Sequence, residues 1–264
     1  MARVFGDVSV HVADDFVATV ELHRPPNNYF DIALIRSLAD AFESLDADSG
    51  CRAAVLCSEG KHFCAGADFT GGRGLAENVG SGGQEGHLYE EALRLFVTET
   101  PIVAAVQGAA IGGGLGLAMA ADFRVASPEA RFVANFARLG FHHGFGLTVT
   151  LPAAIGRQRA LEMLYTGQRV PGEEALRTGL CDRLAPAESL RQAAHSLAAE
   201  IAASAPLAVR SIRETMRSDL PDRIRAATVR ELAEQQRLAL TDDFNEGLQA
   251  TAERRVPRFG AKRP

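Results

Sequence analysis

Two glycine-rich turns, each directly behind a short apolar run, constrain this chain more than any other feature. The first is His62-Phe63-Cys64-Ala65-Gly66-Ala67-Asp68, after RAAVLC at 52–57. The second runs from Gln107 to Gly116 (QGAAIGGGLG), after IVAAV at 102–106. Both runs read as buried strands, and the second turn leads into a helix through Met119. Strand, turn and helix in repeated succession predict an α/β fold with right-handed crossovers. Ligands in such folds collect at the C-terminal ends of strands, where both turns stand. Gly113 and Gly114 open a helix whose first N–H groups lack partners and whose dipole is positive there. One N–H from each turn, if they converge, forms an oxyanion hole. Each donor of that kind contributes roughly 2.7–4 kcal/mol of transition-state stabilisation. Taken singly, either turn reads more readily as plain strand-to-helix packing.

Around these turns the chain divides clearly. Runs at 8–12 and 16–22, broken by Asp14-Asp15, predict a hairpin. Asp31 is placed to cap a helix over 32–45, with Ile35, Leu38, Phe42 and Leu45 on one face. Residues 70–86 carry seven glycines and no period, which predicts a mobile surface loop. A helix over 87–98 follows, then short strands at 123–126 and 131–133. From Gln158 onward the pattern is nearly all helical, with breaks expected at Pro171, Pro186, Pro206 and Pro221. The last helices are expected at 188–204, 207–217, 223–241 and 243–254.

Composition narrows the class. The 264 residues are 47% apolar, with 28 Lys+Arg against 33 Asp+Glu, a net charge of −5. That is an ordinary globular composition, too acidic for general nucleic-acid binding. Cys51, Cys57, Cys64 and Cys181 make no CxxC pair, which suits reduced thiols in a cytoplasmic protein. No stretch reads as a secretory leader or a membrane span. The charge is uneven: residues 251–264 hold five cations against Glu253, a tail of +4 on a body of −9. GxGxxG fails in GGGLGLAM, and GxxxxGK[ST], HExxH and GxSxG are all absent, which removes the commonest α/β enzyme classes.

The two turns in series, with HRPPNNYFD before them and TDDFNEGLQATAERRVPRF after them, carry a resemblance along nearly the whole length. The chain resembles the crotonase, or enoyl-CoA hydratase/isomerase, superfamily. The resemblance implies a spiral of ββα repeats over 1–200 and a helical oligomerisation region over 201–264. It implies an acyl-CoA thioester as substrate, no prosthetic group or metal, and a homotrimer or hexamer. It assigns the thioester oxyanion to the N–H groups of Ala67 and Gly113. Arg24, Ala65, Asp68, Gly112, Phe136 and Gly144 would contact substrate, and Phe259 and Lys262 would bind the CoA nucleotide, where cations suit phosphate.

The resemblance is incomplete where chemistry is decided. Two-glutamate hydratases carry one acid where this chain has Gly116 and another where it has Phe136. Positioned acids and bases contribute about 10²–10⁴ each in rate, so the hydratase mechanism and the single-glutamate isomerase mechanism both lack their groups. Dienoyl isomerases and aryl-CoA dehalogenases place an aspartate where Gly144 stands. Within Gly140 to Gly146, His143 and, second to it, His142 are the candidate replacement bases, since a neutral imidazole works near pH 7. His87, Tyr89, Glu90 and Glu91 are further candidates, while Asp68 reads as a cap on its turn. Enolate chemistry, decarboxylation, hydrolysis and noncatalytic acyl-CoA binding all stay open at this point.

Overall fold

The computed structural model describes residues 3–68 and 87–260. The expectation of a mobile loop at 70–86 lies outside the described residues. The hairpin forms as β2 (Val8–Val12) and β3 (Val17–Leu22), antiparallel with Val8 opposite Leu22. Asp15 accepts the Val17 N–H at its turn. An unforeseen edge strand, β1 (Arg3–Phe5), pairs with β2.

From β3 the sheet turns parallel. Asp31 accepts the Leu34 N–H at 2.8 Å, starting α1 (Ile32–Asp46) as the crossover into β4 (Ala53–Ser58). After α2 (Leu88–Val97) come β5 (Ile102–Val106), β6 (Ala109–Ile111), α3 (Gly113–Ala120), β7 (Phe123–Ala126) and β8 (Arg131–Val133). The main sheet has the order β1-β2-β3-β4-β5-β7, closed by β10 (Arg183–Leu184). A second sheet, β6-β8-β9, uses β9 (Arg169–Pro171). β5 and β7 lie in the main sheet and β6 and β8, directly after them, in the second, so these two circuits show the ββα turn of a spiral. The second glycine-rich turn is thus partly strand. Its Ala109-Ala110-Ile111 pairs in parallel with 131–133, a non-local partnership that no local pattern encodes.

Strand periodicity builds two cores. Ala54 and Leu56 face α1 and the main interior, while Ala53, Val55 and Cys57 face Leu190, Ala194 and Leu197 of α7 (Leu190–Ala202). Alternate residues pointing to opposite faces, both covered, explain why β4 reads as a continuous apolar run. The helical stretch begins earlier than expected, at α4 (Leu147–Ile155), with α5 (Arg157–Thr166) and α6 (Gly172–Thr178) after it. α8 (Pro206–Arg217), α9 (Leu220–Leu238) and α10 (Asp242–Ala252) complete the chain. Pro206 and Pro221 sit in first turns, where a missing N–H costs nothing, so they open helices rather than break them. No helix among the described residues is long and apolar enough to cross a membrane, and the four cysteines are buried and unpaired.

Candidate active site

The two turns are hydrogen-bonded to each other. Phe63 N–H donates to Gln107 O at 2.8 Å, Cys64 N–H to Ala109 O at 3.0 Å, and Ile111 N–H returns to Cys64 O at 3.1 Å. The HRPPNNYFD segment braces the first turn from behind. Asn28, fully buried, donates through Nδ2 to Glu59 O and His62 O, and Phe30 N–H donates to Gly66 O. Gly66 (φ 89°) and Gly112 (φ 57°) take backbone conformations open to glycine. Their twist brings the turns close: a Cβ on Gly66 would lie 3.9 Å from Gly113 N. Among the described residues neither Ala67 N–H nor Gly113 N–H donates to a protein acceptor. Two unspent donors on adjacent turns can hold one anionic oxygen.

They border a cavity of about 450 Å³. Of the expected contact residues, Ala65, Ala67, Asp68, Gly112, Gly113, Phe136 and Gly144 line it. Its walls are strongly aromatic, with Phe30, Phe141 and Phe145 joining Phe136; α10 adds Leu248 and Thr251, and Arg254 stands beyond them. At the first hydratase position, a Cβ on Gly116 would come within 2.5 Å of Phe145 Cβ, so an aromatic ring fills the volume a carboxylate would need. At Gly144 a Cβ would meet the Tyr89 hydroxyl at 1.8 Å. Neither position admits a side chain.

His142 and His143, the candidate bases, are not among the residues lining the cavity. His142 Nδ1 bonds His143 O at 2.7 Å, and the two rings stack 4.2 Å apart. His143 Nε2 meets Thr148 Oγ1 at 2.8 Å. Thr148 Oγ1 in turn donates to Glu231 Oε1 at 2.6 Å, so its oxygen accepts from His143, which carries its proton on Nε2. Burial, with His142 alongside, pushes the His143 pKa down to about 4. Glu231 also accepts Gly146 N–H and Thr148 N–H, capping α4 where its own glycine N-cap has no side chain. Burial raises the Glu231 carboxyl despite those three donors. It lies 4.0 Å from His143 Nε2, yet His143 stays neutral, because desolvation outweighs an attraction to an acid that is itself raised.

Gln235 and Glu231 were not anticipated. Thr228, Glu231 and Gln235 recur at helical spacing on the buried face of α9, but a polar stripe on a helix reads as a solvated face. Tertiary partners explain their burial: the loop at 142–148 for Glu231, and that loop with Tyr89 of α2 for Gln235. His87 caps α2, its Nδ1 accepting the Tyr89 N–H, and Glu91 pairs with Arg36 and Arg94.

Arg24 lies away from the cavity wall, paired with Asp7 at 2.7 Å and Asp31 at 2.9 Å, which ties the Pro25-Pro26 turn to the hairpin and to the α1 cap. The tail folds back on its own α10: Arg255 pairs with Glu246, and Gly260 N–H donates to Asp243. Phe259 is half exposed there and does not line the cavity. Lys262 lies outside the described residues.

Fold and cavity together define an α/β enzyme built on a two-sheet ββα spiral with paired glycine turns. The chain matches the enoyl-CoA hydratase/isomerase family over residues 13–262. It is 33% identical over 249 residues to a probable enoyl-CoA hydratase of Bacillus subtilis, covering 93% of this chain and 96% of that one. It is also 33% identical over 251 residues to the carnitinyl-CoA dehydratase of Proteus mirabilis, covering 92% and 94%. The crystal structure of an enoyl-CoA hydratase/isomerase from Pseudoalteromonas atlantica superposes with a TM-score of 0.85 at 28% identity, over 96% of this chain and 100% of that one. The protein belongs to the enoyl-CoA hydratase/isomerase family.

Proposed function

We propose that the cavity binds an acyl-CoA thioester with its carbonyl oxygen between Ala67 N–H and Gly113 N–H, and that the enzyme stabilises the thioester enolate there. The observation that carries this reading is the pair of unspent donors on interlocked turns at the wall of an aromatic cavity. When the α-carbon loses a proton to water, or loses a carboxylate substituent as CO₂, the electron pair of the broken bond moves onto the carbonyl oxygen. Both hydrogen bonds then strengthen, so they favour the transition state over the ground state. Phe30, Phe136 and Phe145 exclude bulk water and lower the local dielectric, which sharpens that effect.

Paired-glutamate hydration is not the reaction proposed, because Gly116 is occluded and Phe136 is not titratable. A noncatalytic acyl-CoA-binding role is the second reading, and the replacement of both acids by an aromatic wall favours it. Incubation with crotonyl-CoA and butyryl-CoA in D₂O separates the two. Deuterium entering C2 supports enolate chemistry. Tight binding of both thioesters with neither exchange nor hydration supports the binding role. Failure to bind either thioester removes both readings.

Assembly is proposed to be a homotrimer, single or stacked as a hexamer, through α8. That helix docks by its arginines and turns Leu207, Ile212 and Met216 outward, each more than 60% exposed, an apolar face suited to a second copy of the chain.

A further inference from the structure

Inside the cavity, the place of a side chain at position 144 is taken by a phenol oxygen. A Cβ on Gly144 would lie 1.8 Å from Tyr89 Oη and 2.6 Å from Gln235 Nε2. Gly144, Tyr89 and Gln235 all line the cavity, and Tyr89 Oη lies between the other two. The polarity of that oxygen is fixed from behind. The His142 carbonyl can only accept, so it takes the Gln235 amide N–H at 3.0 Å. Gln235 Oε1 is thereby turned to Tyr89, whose O–H donates to it at 2.8 Å. The phenol proton is committed to Gln235, and the oxygen is left to accept. The Phe145 backbone N–H approaches the same oxygen, which leaves one further lone pair for a ligand. Burial first, then the charge of Glu231, raise the phenol, while Gln235 and the Phe145 N–H oppose them less strongly, so Tyr89 stays protonated at neutral pH.

We infer that Tyr89 is a specificity-determining residue: its hydroxyl oxygen, oriented by Gln235, accepts a hydrogen bond from a hydroxyl group on the acyl chain of the bound thioester. Gln235 is a positioning residue that acts through Tyr89. The inference rests on the acyl-CoA reading of the cavity and adds to it a preference among acyl groups. An acyl hydroxyl leaving water needs such a partner, whereas an unsubstituted chain needs none. Asp68 and Asn135 also line the cavity, so the Tyr89→Phe variant decides whether the phenol is the acceptor.

The test is calorimetric titration of the full chain with 3-hydroxybutyryl-CoA and with butyryl-CoA. Wild type is expected to prefer the hydroxylated thioester about tenfold, the equivalent of one good hydrogen bond. Tyr89→Phe deletes only the oxygen and is expected to abolish the preference, read as the ratio of the two affinities within one protein. Gln235→Met, which frees the phenol to rotate, is expected to reduce the same ratio of affinities. Butyryl-CoA carries no hydroxyl, so it reports the thioester site by itself and also shows that each variant is folded. Binding of butyryl-CoA by wild type with no preference for the hydroxylated partner overturns the role of Tyr89 alone, as does a preference that survives Tyr89→Phe. Absence of binding for both thioesters overturns the acyl-CoA reading and this inference together.

Discussion

The side chain of Phe145 occupies the volume that any side chain at Gly116 would enter: a Cβ built there would lie 2.5 Å from Phe145 Cβ and 2.8 Å from its Cγ and Cδ1. Phe145 holds this place with φ at 60°, a left-handed conformation costly for a bulky residue, and packs against Phe30 and Phe96. The absent glutamate is therefore not a single substitution but half of a coupled pair.

Gly116→Glu is accordingly expected to destabilise the fold and to restore no hydration. Overpacking costs about 1–3 kcal/mol, and a buried carboxylate adds to it. Phe145→Ala is expected to cost about 3–5 kcal/mol through the void it leaves. In the double variant the new side chain enters that void, but its Cβ still meets the Cβ that alanine keeps, so the combined loss should fall short of the sum by only about 1 kcal/mol. Urea denaturation of all four proteins measures the coupling, and strict additivity would show that the two sites do not compete for space.

His143 gives the native state a pH dependence with a definite sign. Its pKa is depressed to about 4 in the fold, against about 6.5 in an unfolded chain. Between those values the unfolded state takes up a proton that the native state refuses, so stability declines as pH falls through that window. The contribution, complete above the upper value, is on the order of 3 kcal/mol and is lost near pH 4. Glu231 acts in the opposite direction, because its raised carboxyl accepts a proton in the native state first. The stability of wild type minus that of His143→Gln, measured by denaturant titration from pH 7 to pH 4, removes the Glu231 contribution to first order. A difference that does not change with pH would contradict the burial of a neutral His143.

Local signals in the sequence carried most of the frame. The hairpin, the Asp31 cap, the two-sided strand at 53–58 and the four C-terminal helices all follow from period, cap and apolar run. The pairing of Ala109–Ile111 with 131–133, and the start of α4 at Leu147, depend on distant partners and so escaped a local reading. The same division holds in the cavity. Glycines bending Gly66 and Gly112 toward each other could be foreseen from the turns themselves. The occupation of the Gly116 and Gly144 positions by Phe145 and Tyr89 could not, because each couples residues that only the fold brings together. The candidate bases His142 and His143 show the cost: a loop sequence identifies an imidazole but not which side of the loop it faces.

Asp122 fastens α8 to the sheet, and removing it should release that helix. Its carboxylate accepts Ile102 N–H at 2.8 Å, Arg213 Nε at 3.0 Å and Arg217 Nη1 at 2.5 Å. Burial opposes the charge, but the two guanidiniums hold the carboxyl below the usual range. Asp122→Ala leaves two largely buried arginines without their anion, a loss of about 3–5 kcal/mol. Arg213 Nη2 and Arg217 Nε already lack partners, so the cluster has no spare acceptor to absorb the change. Chemical denaturation should show the loss, and amide exchange should show it concentrated in 206–217. An Asp122→Ala protein as stable as wild type would mean that α8 is held by something other than this pair.

The outer face of α8 predicts how the protein assembles. Arg210, Arg213 and Arg217 point toward the body, reaching Asp46 O, Asp122 and the Thr98 and Ala120 carbonyls. The same helix leaves Leu207, Ile212 and Met216 in solvent, the reverse of an ordinary amphipathic helix on a monomer. Ile212→Glu combined with Met216→Glu places two like charges on that face without touching the arginine side. Sedimentation velocity is expected to show wild type as a trimer or hexamer and the double variant as a folded monomer, because burying unpaired carboxylates in an interface costs several kcal/mol. A wild-type protein that sediments as a monomer, or a double variant that still assembles, would move the interface off α8.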